Sequence, residues 1–266
     1  MADSIPVFTH SGALGDVLYS LPFCQAFSRA CGHEQFDFFI TANLPFTHGH
    51  QHPAGSVMTS LALANFLLPL LQSQALIRQA GVIDLHQVDR ASLSHCHNLD
   101  HFRHLPINLA ANHLANHYFY LTNAVIKKDF HTPTLQVTPD ARAAGKIIVF
   151  RSERYRHPEL SYQSLHAHRD HILYLGLPQE YEQFRQDCFE CDHMVVDNAF
   201  QAAKLMQGAR WVLGNQTLLF AIAEQLKVPR LLEQSPSAPN VLTMGGWAQE
   251  IIIQHHFDEL VSRLMV

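Results

Sequence analysis

Short apolar runs alternate with stretches of helical periodicity, and this alternation starts twice along the chain. In the first half, an apolar run at residues 5–9 leads through the turn SGALG at residues 11–15 into a helical pattern, and a second apolar run follows at residues 36–41. The same order restarts with the run KIIVF at residues 146–150. Strands that alternate with helices predict mostly parallel sheets covered by helices. The sequence therefore predicts an α/β fold of two doubly wound, Rossmann-like domains.

The first half contains further segments with a recognisable pattern. Residues 58–79 predict a long helix that Pro69 interrupts, and residues 105–122 predict another helix from apolar residues at helical spacing. Residues 82–86 predict a strand, whereas residues 87–104 are polar and match neither pattern.

The second half has the more regular alternation of strand and helix patterns. Its further predicted strands are residues 171–175, 194–196, 210–213 and 230–233. Its predicted helices are residues 179–187, 198–207, 217–226 and 257–265.

A linker is expected where the alternation stops between the two halves. Residues 129–140 contain Pro133 and Pro139 and show little apolar periodicity. We therefore predict an N-terminal domain at residues 1–137 and a C-terminal domain at residues 138–266.

Composition and charge exclude several classes of protein. Hydrophobic residues make up 47% of the chain, which permits a buried core and excludes disorder as the main state. The net charge is -5, so there is no general basic footprint for nucleic acid. The most apolar stretch, residues 61–71, contains Asn65 and Pro69 and is shorter than the roughly 20 residues that span a bilayer. The N-terminus has no secretory-signal pattern, so we expect a cytoplasmic protein.

Histidines and cysteines raise the possibility of a metal site. The chain has five cysteines and 20 histidines, but it contains no HExxH, and its single CxxC has no partner pair. An odd cysteine count favours free thiols, and the histidine clusters are expected in exposed loops, so no metal site is predicted. The residues concerned are His48, His50, His52, His95, His97, His101, His104, Cys188 and Cys191.

The first candidate site lies in the turn between the first strand and the first helix. Gly12 and Gly15 permit a ligand to approach the backbone, and a helix N-terminus offers free N–H groups to an anion. Asp16 has two interpretations: it caps the helix N-terminus, or it acts as a general base at the carboxyl end of a strand.

The second candidate site directly follows the strand at residues 146–150. Three arginines and a serine at the end of a strand suit the binding of a diphosphate. The alternative is a solvated loop in which Glu153 pairs with an arginine. The candidate ligands are Arg151, Ser152, Arg154 and Arg156.

The third candidate site combines a strand end, a glycine and a helix N-terminus, which together suit an anion or a ribose. The alternative is that Thr217 is only an N-cap and that Glu224 is solvated. The candidate ligands are Gly214, Asn215, Gln216, Thr217 and Glu224.

Two segments resemble heptosyltransferase-like glycosyltransferases, the enzymes of the ADP-heptose:LPS heptosyltransferase type. The segment SGALGDVLYSLPFCQAF is similar to their GDxxxxxP signature, with Gly15 and Asp16 followed by Pro22. The segment ARWVLGNQTLLFAIAEQLKVPRLLE is similar to their C-terminal sugar-nucleotide segment, including an ending that runs from Ala223 to Pro229. The segments occur in the family's order, one in each half of the chain.

The resemblance implies a glycosyltransferase B-type fold, in which two Rossmann-like domains face each other across a cleft. It implies an inverting transfer with Asp16 as the general base and a nucleotide-sugar donor held by the C-terminal domain. The leaving diphosphate would be stabilised by residues 151–156 and 214–217. No Asp-x-Asp occurs, so neither a metal nor another cofactor is expected.

Two other functions remain open at this stage. Where the family usually has a histidine in the C-terminal loop, this chain has the stretch NQTLLF at residues 215–220. A nucleotide- or sugar-binding protein without transfer activity would keep the arginines and that loop but would not depend on Asp16. A sugar-nucleotide epimerase or hydrolase would share the donor site and turn over without an acceptor.

Overall fold

The computed structural model describes residues 4–45, 57–88 and 90–264. The chain divides into two compact units. Unit 1 consists of Met1–Phe130 with Asn198–Phe200, and unit 2 consists of His131–Asp197 with Gln201–Val266. The sequence-based boundary between residues 137 and 138 stays a prediction.

Unit 1 contains a four-stranded parallel sheet in the order β3-β2-β1-β4. The strand β1 is central and buried, as expected of an apolar run without polar alternation. The ring of Phe8 on β1 packs edge-on against the rings of Phe23 and Phe36, which anchors the first helix and the second strand. The elements are β1 Val7–His10, α1 Leu14–Ala30, β2 Phe36–Ala42, α2 Leu61–Gln72, β3 Ile77–Asp84, β4 His97–Asn98 and α3 Leu114–Tyr118.

The helix predicted at residues 58–79 was too long. It ends at Gln72, and Ile77 already belongs to β3, which pairs with β2 along its length. The strand predicted at residues 82–86 is therefore the second half of a longer strand. Pairing with β2 outweighs the local helical pattern at residues 77–79, because a paired strand satisfies its backbone groups in the sheet.

The helix predicted at residues 105–122 was mostly wrong, because only α3 and a short 3-10 turn form there. The side chain of Asn108 accepts the N–H of Ala110, and Asn112 adopts a φ of 71°. Short polar side chains that bind nearby backbone groups compete with helix formation.

Unit 2 contains a six-stranded parallel sheet in the order β10-β9-β8-β5-β6-β7. Numbered within the unit, this is the Rossmann order 3-2-1-4-5-6. The elements are β5 Ile147–Phe150, β6 Ile172–Leu175, α4 Pro178–Asp187, β7 Asp192–Met194, α5 Ala199–Gly208, β8 Trp211–Asn215, α6 Leu218–Leu226, β9 Arg230–Glu233, β10 Ala248–Ile251 and α7 Gln254–Leu264. The first two residues of α5 belong to unit 1.

The two parallel sheets confirm the predicted α/β fold class. The strand β10 was not predicted from the sequence, because it is short, only half apolar and fixed by pairing with β9. In the described part of the chain, no helix combines the length and the apolar character that crossing a membrane requires.

Candidate functional site

Each sheet has one point where the strand order reverses, and α/β proteins bind ligands beyond the carboxyl ends of the strands at such a point. In unit 1 this point lies between β1 and β4, and in unit 2 it lies between β5 and β8. All three candidate segments follow one of these strands: residues 11–16 follow β1, residues 151–156 follow β5 and residues 216–217 follow β8.

Asp16 is the third residue of α1, and its carboxylate pairs with the guanidinium of Arg103. The N-cap position belongs to Ala13, which makes no side-chain capping bond, so the interpretation of Asp16 as the N-cap is wrong. A carboxylate in the first turn is still favourable beside the positive helix end. The side chain is 24% exposed, and its Oδ1 atom has no hydrogen-bond partner within the described residues. An approaching hydroxyl could therefore reach Oδ1.

Arg103 is held in place by a second carboxylate, that of Asp100. Arg103 Nη1 donates to Asp100 Oδ1 at 3.1 Å, and the hydroxyl of Ser11 donates to Asp100 Oδ2 at 2.6 Å. Burial raises the pKa of Asp100, but His10, the Ser11 hydrogen bonds and Arg103 together hold it below its usual value. Asp100 thus stays ionised and connects the end of β1 to Arg103.

A buried hydrogen-bond chain runs beneath these charges. The N–H of Gly12 donates to Nδ1 of His10 at 2.9 Å, so the opposite ring nitrogen carries the proton and donates to the Tyr118 hydroxyl at 2.8 Å. That hydroxyl donates to the backbone carbonyl of Asp16 at 3.0 Å. Desolvation of the fully buried ring lowers the pKa of His10 to about 4, although Asp100 opposes this shift. Neutral His10 and Tyr118 therefore fix the backbone that presents Asp16.

Gly12 is required by the close approach of Arg103. A Cβ at this position would overlap with the Arg103 guanidinium and would lie 2.6 Å from His10 Cε1. The glycine thus allows Arg103 to reach Asp16. Gly15 is the second residue of α1, and the predicted ligand contacts of both glycines stay predictions.

In unit 2, the loop after β5 and the end of β8 are joined by the side chain of Asn215. Its amide oxygen accepts the N–H of Ser152 at 3.1 Å, and its amide nitrogen donates to the carbonyls of Ser152 and Arg154. Asn215 is completely buried, so it shapes the loop. The structure thereby brings together the second and third candidate segments, which are 63 residues apart at Ser152 and Asn215.

The three arginines of the loop differ in what they contact. Arg151 is buried and forms a two-pronged ion pair with Glu233, at 2.7 and 2.9 Å. Arg156 pairs with Asp187 at 2.8 Å. Arg154 is exposed, and its guanidinium lies over the ring of Tyr155. A phosphate could bind Arg151 only by competing with Glu233, whereas Arg154 is accessible.

The Arg151–Glu233 pair is fully hydrogen-bonded on its acidic side. The Tyr162 hydroxyl donates to Glu233 Oε2 at 2.7 Å, and the N–H of His157 donates to Oε1 at 2.6 Å. Arg151 Nη2 also donates to the carbonyl of Leu160 at 2.7 Å. A buried ion pair with this many partners holds the loop after β5 against β9.

The residues of the third candidate segment also differ in what they contact. Thr217 is the N-cap of α6, since its hydroxyl accepts the N–H of Phe220, so the capping interpretation is confirmed. Gln216 donates from its amide to Asn240 at 3.0 Å. A Cβ at Gly214 would overlap with the ring of Phe150, so this glycine is required by packing between β8 and β5. The ligand contacts predicted for these residues stay predictions.

Glu224 is completely buried, so its interpretation as a solvated side chain is wrong. Its carboxylate pairs with Lys227 and with Arg230, the latter at 2.6 Å, and it accepts the N–H of Met244. Arg230 needs this counter-ion because its own side chain is also completely buried. The predicted donor contact of Glu224 stays a prediction, with both carboxylate oxygens already engaged.

Asp100 and Arg103 were not predicted from the sequence, and Glu233 was noted at the end of its strand but not counted among the candidate ligands. Asp100 and Arg103 lie in the polar stretch at residues 87–104, and only the two-residue strand β4 brings them to the end of β1. No local pattern could have shown that. Glu233 did carry a signal, because an acidic residue follows two leucines at the end of a fully buried strand.

Nothing in the described residues suggests a metal centre. No group of three or more His, Cys, Asp or Glu side chains is placed there to hold an ion, and His48, His50 and His52 lie outside the described residues. Burial raises the pKa of both CxxC thiols, that of Cys191 to about 11, which favours protonated thiols.

Comparison with known proteins places the fold. No family model matches this chain, and no curated protein matches its sequence. Among solved structures, E. coli ADP-heptose LPS heptosyltransferase II is similar with a TM-score of 0.64 and 14% identity, covering 98% of each chain. A glycosyl transferase family 9 structure from Veillonella parvula gives 0.61 and 12%, covering 98% of this chain and 90% of that one. E. coli heptosyltransferase WaaC with ADP gives 0.60 and 11%, covering 98% and 100%.

At these identities, the likeness shows a shared fold. The chain adopts the fold of heptosyltransferases and of the glycosyl transferase family 9 structure, which confirms the family resemblance of the two sequence segments at the level of fold.

Proposed function

We propose that this protein is a glycosyltransferase that moves a sugar from a nucleotide-sugar donor to an acceptor hydroxyl, with inversion and without a metal ion. The observation that carries the proposal is Asp16, a carboxylate with one unpartnered oxygen at the strand reversal of unit 1, in a fold shared with heptosyltransferases. WaaC was solved with ADP, and heptosyltransferase II is named for an ADP-heptose donor. A nucleoside diphosphate sugar is therefore the donor class that we assign to this chain.

In the proposed reaction, the carboxylate of Asp16 removes the proton of the acceptor hydroxyl. The oxygen attacks the anomeric carbon from the side opposite to the diphosphate, and the bond to the diphosphate breaks as the new glycosidic bond forms. The configuration of the sugar is therefore inverted. Arg103 contacts Asp16 through Oδ2 and leaves Oδ1 for the proton.

Unit 2 supplies the groups that suit the departing diphosphate. Thr217 caps the N–H of Phe220, and no partner within the described residues takes the N–H groups of Leu218 and Leu219. Free N–H groups and the positive helix end favour an anion at this terminus. Arg154 adds an accessible positive charge in the loop that Asn215 holds against β8. These groups would stabilise the leaving charge without a metal.

A binding protein without transfer activity is the second candidate. The observation that favours it is the Arg103–Asp16 ion pair, because Arg103 competes with an acceptor hydroxyl for the same carboxylate. It would bind the same donor in unit 2.

Titration calorimetry with ADP, GDP, UDP and CDP tests the donor site. We expect one of these diphosphates to bind and Arg154→Ala to weaken that binding, while Arg169→Ala leaves it unchanged. Arg169 is also exposed but lies before β6, away from the strand reversal. If none of the diphosphates binds, or if both variants bind like the wild type, the proposed donor site is wrong.

A further inference from the structure

The side-chain amide of Gln234 in unit 2 is buried without a hydrogen-bond partner. Gln234 directly follows β9 and is only 6% exposed, yet neither its amide nitrogen nor its amide oxygen is bonded within the described residues. Its backbone N–H is satisfied by the carbonyl of Ile251, so the deficit is confined to the side chain.

An unsatisfied buried amide is unfavourable for folding. Each buried donor or acceptor without a partner costs stability, and an apolar side chain of similar shape would not carry that cost. Gln225, another buried glutamine of unit 2, accepts a hydrogen bond from the Thr134 hydroxyl at 2.5 Å. Gln234 therefore differs from an ordinary buried glutamine, and its missing partner points to a ligand.

The position of Gln234 agrees with that interpretation. Strands β8 and β9 pair in a register that sets Asn215 beside Glu233, so Gln216 and Gln234 are the next residues at the same carboxyl edge. The amide oxygen of Gln216 is also buried without a partner. This edge adjoins Thr217, the N-cap of α6. Two incomplete amides thus follow the two strands that lead to the proposed diphosphate site.

The charges nearby indicate which part of a ligand Gln234 binds. Glu233 is neutralised by Arg151 in a buried pair, and Gln234 and Gln216 are themselves neutral. An amide offers one donor side and one acceptor side in the same plane, which matches a neutral group with an adjacent donor and acceptor. Both the hydroxyls of a sugar and the edge of a nucleobase have that chemistry, whereas a diphosphate has only acceptors.

We propose that Gln234 is a specificity-determining residue of the donor site, whose side-chain amide forms a pair of hydrogen bonds with a neutral donor–acceptor group of the nucleotide sugar. The amide oxygen of Gln216 accepts a further hydrogen bond from the same ligand. This inference rests on the proposed function, since it deepens the description of the same donor site.

The test replaces Gln234 by leucine, which has a similar size and no polar atoms. The melting temperature of the ligand-free protein should rise, because two unsatisfied polar groups are removed, while the affinity for the nucleotide sugar should fall at least tenfold. A purely structural glutamine would not produce these opposite effects. Calorimetry with the free nucleoside diphosphate and with the nucleotide sugar shows whether Gln234 binds the nucleobase or the sugar. A loss with both ligands assigns the nucleobase, and a loss with the nucleotide sugar alone assigns the sugar.

Gln225→Leu is the matched control, because this glutamine is also buried but has a hydrogen-bond partner. It should lower the melting temperature and leave the affinity unchanged. Gln234→Met provides a second variant should the leucine variant not fold. The inference is overturned if the wild type binds a nucleotide sugar and the Gln234 variants bind it equally well. Absence of any nucleotide-sugar binding by the wild type would instead overturn the proposed function and this inference together.

Discussion

The carboxyl edges of the two sheets use charge in opposite ways. In unit 1, the strand reversal presents a partly exposed carboxylate, Asp16, which is fixed by Arg103 and Asp100. In unit 2, the nearest large charges, Arg151 and Glu233, are buried against each other, and the edge presents amides, a hydroxyl and a helix N-terminus.

Under the proposed function, this difference gives each unit a separate chemical task. A carboxylate with a free oxygen suits proton transfer, and it needs neighbours that fix its position without covering it. A site for a charged and polar ligand instead needs donors that are already in place. Buried ion pairs meet this need by holding the loops that carry the donors. The predictions that follow test whether each unit is organised in this way.

The largest expected effect concerns the two arginines of the loop after β5. Arg151→Ala would leave Glu233 buried and unpaired, so we expect the free energy of unfolding to fall by about 3–5 kcal/mol. Arg154→Ala removes an exposed side chain and should change it by no more than about 0.5 kcal/mol. Urea denaturation of both variants measures the contrast. Equal stability losses in the two variants would show that the buried Arg151–Glu233 pair does not stabilise the fold.

The next effect is the acid sensitivity of unit 1. His10 has a pKa of about 4 in the folded protein, against about 6.5 in an unfolded chain. Between these values the unfolded chain binds a proton that the folded protein does not, so stability is present above pH 6.5 and is lost as the pH falls towards 4. The loss from His10 should approach about 3 kcal/mol.

Denaturation midpoints between pH 7 and pH 4 would measure this loss. His10→Gln should flatten the pH dependence, although it lowers stability at neutral pH by disturbing the bonds to Gly12 and Tyr118. His255→Gln is the control, because that side chain is 85% exposed. An unchanged slope in His10→Gln would contradict the description of His10 as a buried neutral residue.

The smallest effect compares the two glycines at the strand ends. At Gly214 an added Cβ meets the Phe150 ring and its carbonyl oxygen, so Gly214→Ala should cost about 1–3 kcal/mol of unfolding free energy. At Gly12 the obstacles are the end of the Arg103 side chain and the His10 ring, so Gly12→Ala should cost less and instead displace Arg103 from Asp16. Thermal unfolding ranks the two variants, and a larger stability loss in Gly12→Ala than in Gly214→Ala would contradict this expectation.

The architecture was predictable from the sequence because local signals mark a parallel sheet. Apolar runs such as Ile147–Phe150 are buried strands, and the turn before α1 combines glycines with the start of a helical pattern. Both parallel sheets were therefore predictable from the alternation of apolar runs with helical periodicity. Most of the helix predicted at residues 105–122 did not form, because asparagine side chains before α3 bind the neighbouring backbone.

The candidate sites were predictable only as positions. Strand ends located residues 11–16, 151–156 and 214–217, but a side chain's partner depends on distant segments. Arg151 pairs with a residue 82 positions away, and Asp16 pairs with one 87 positions away. Local sequence patterns therefore identified loops at strand ends but could not distinguish a buried arginine from an accessible one.

Donor affinity and transfer rate, measured side by side in Asp16→Asn, test whether the base and the donor site lie in different units. The substitution keeps the shape of the side chain and removes its ability to accept a proton as a base. If unit 1 supplies the base and unit 2 the donor site, the affinity for the nucleotide sugar should stay within about twofold. The transfer rate should then fall by roughly 10²–10⁴-fold, the usual contribution of a general base. Transfer at a near-normal rate by Asp16→Asn would contradict the account.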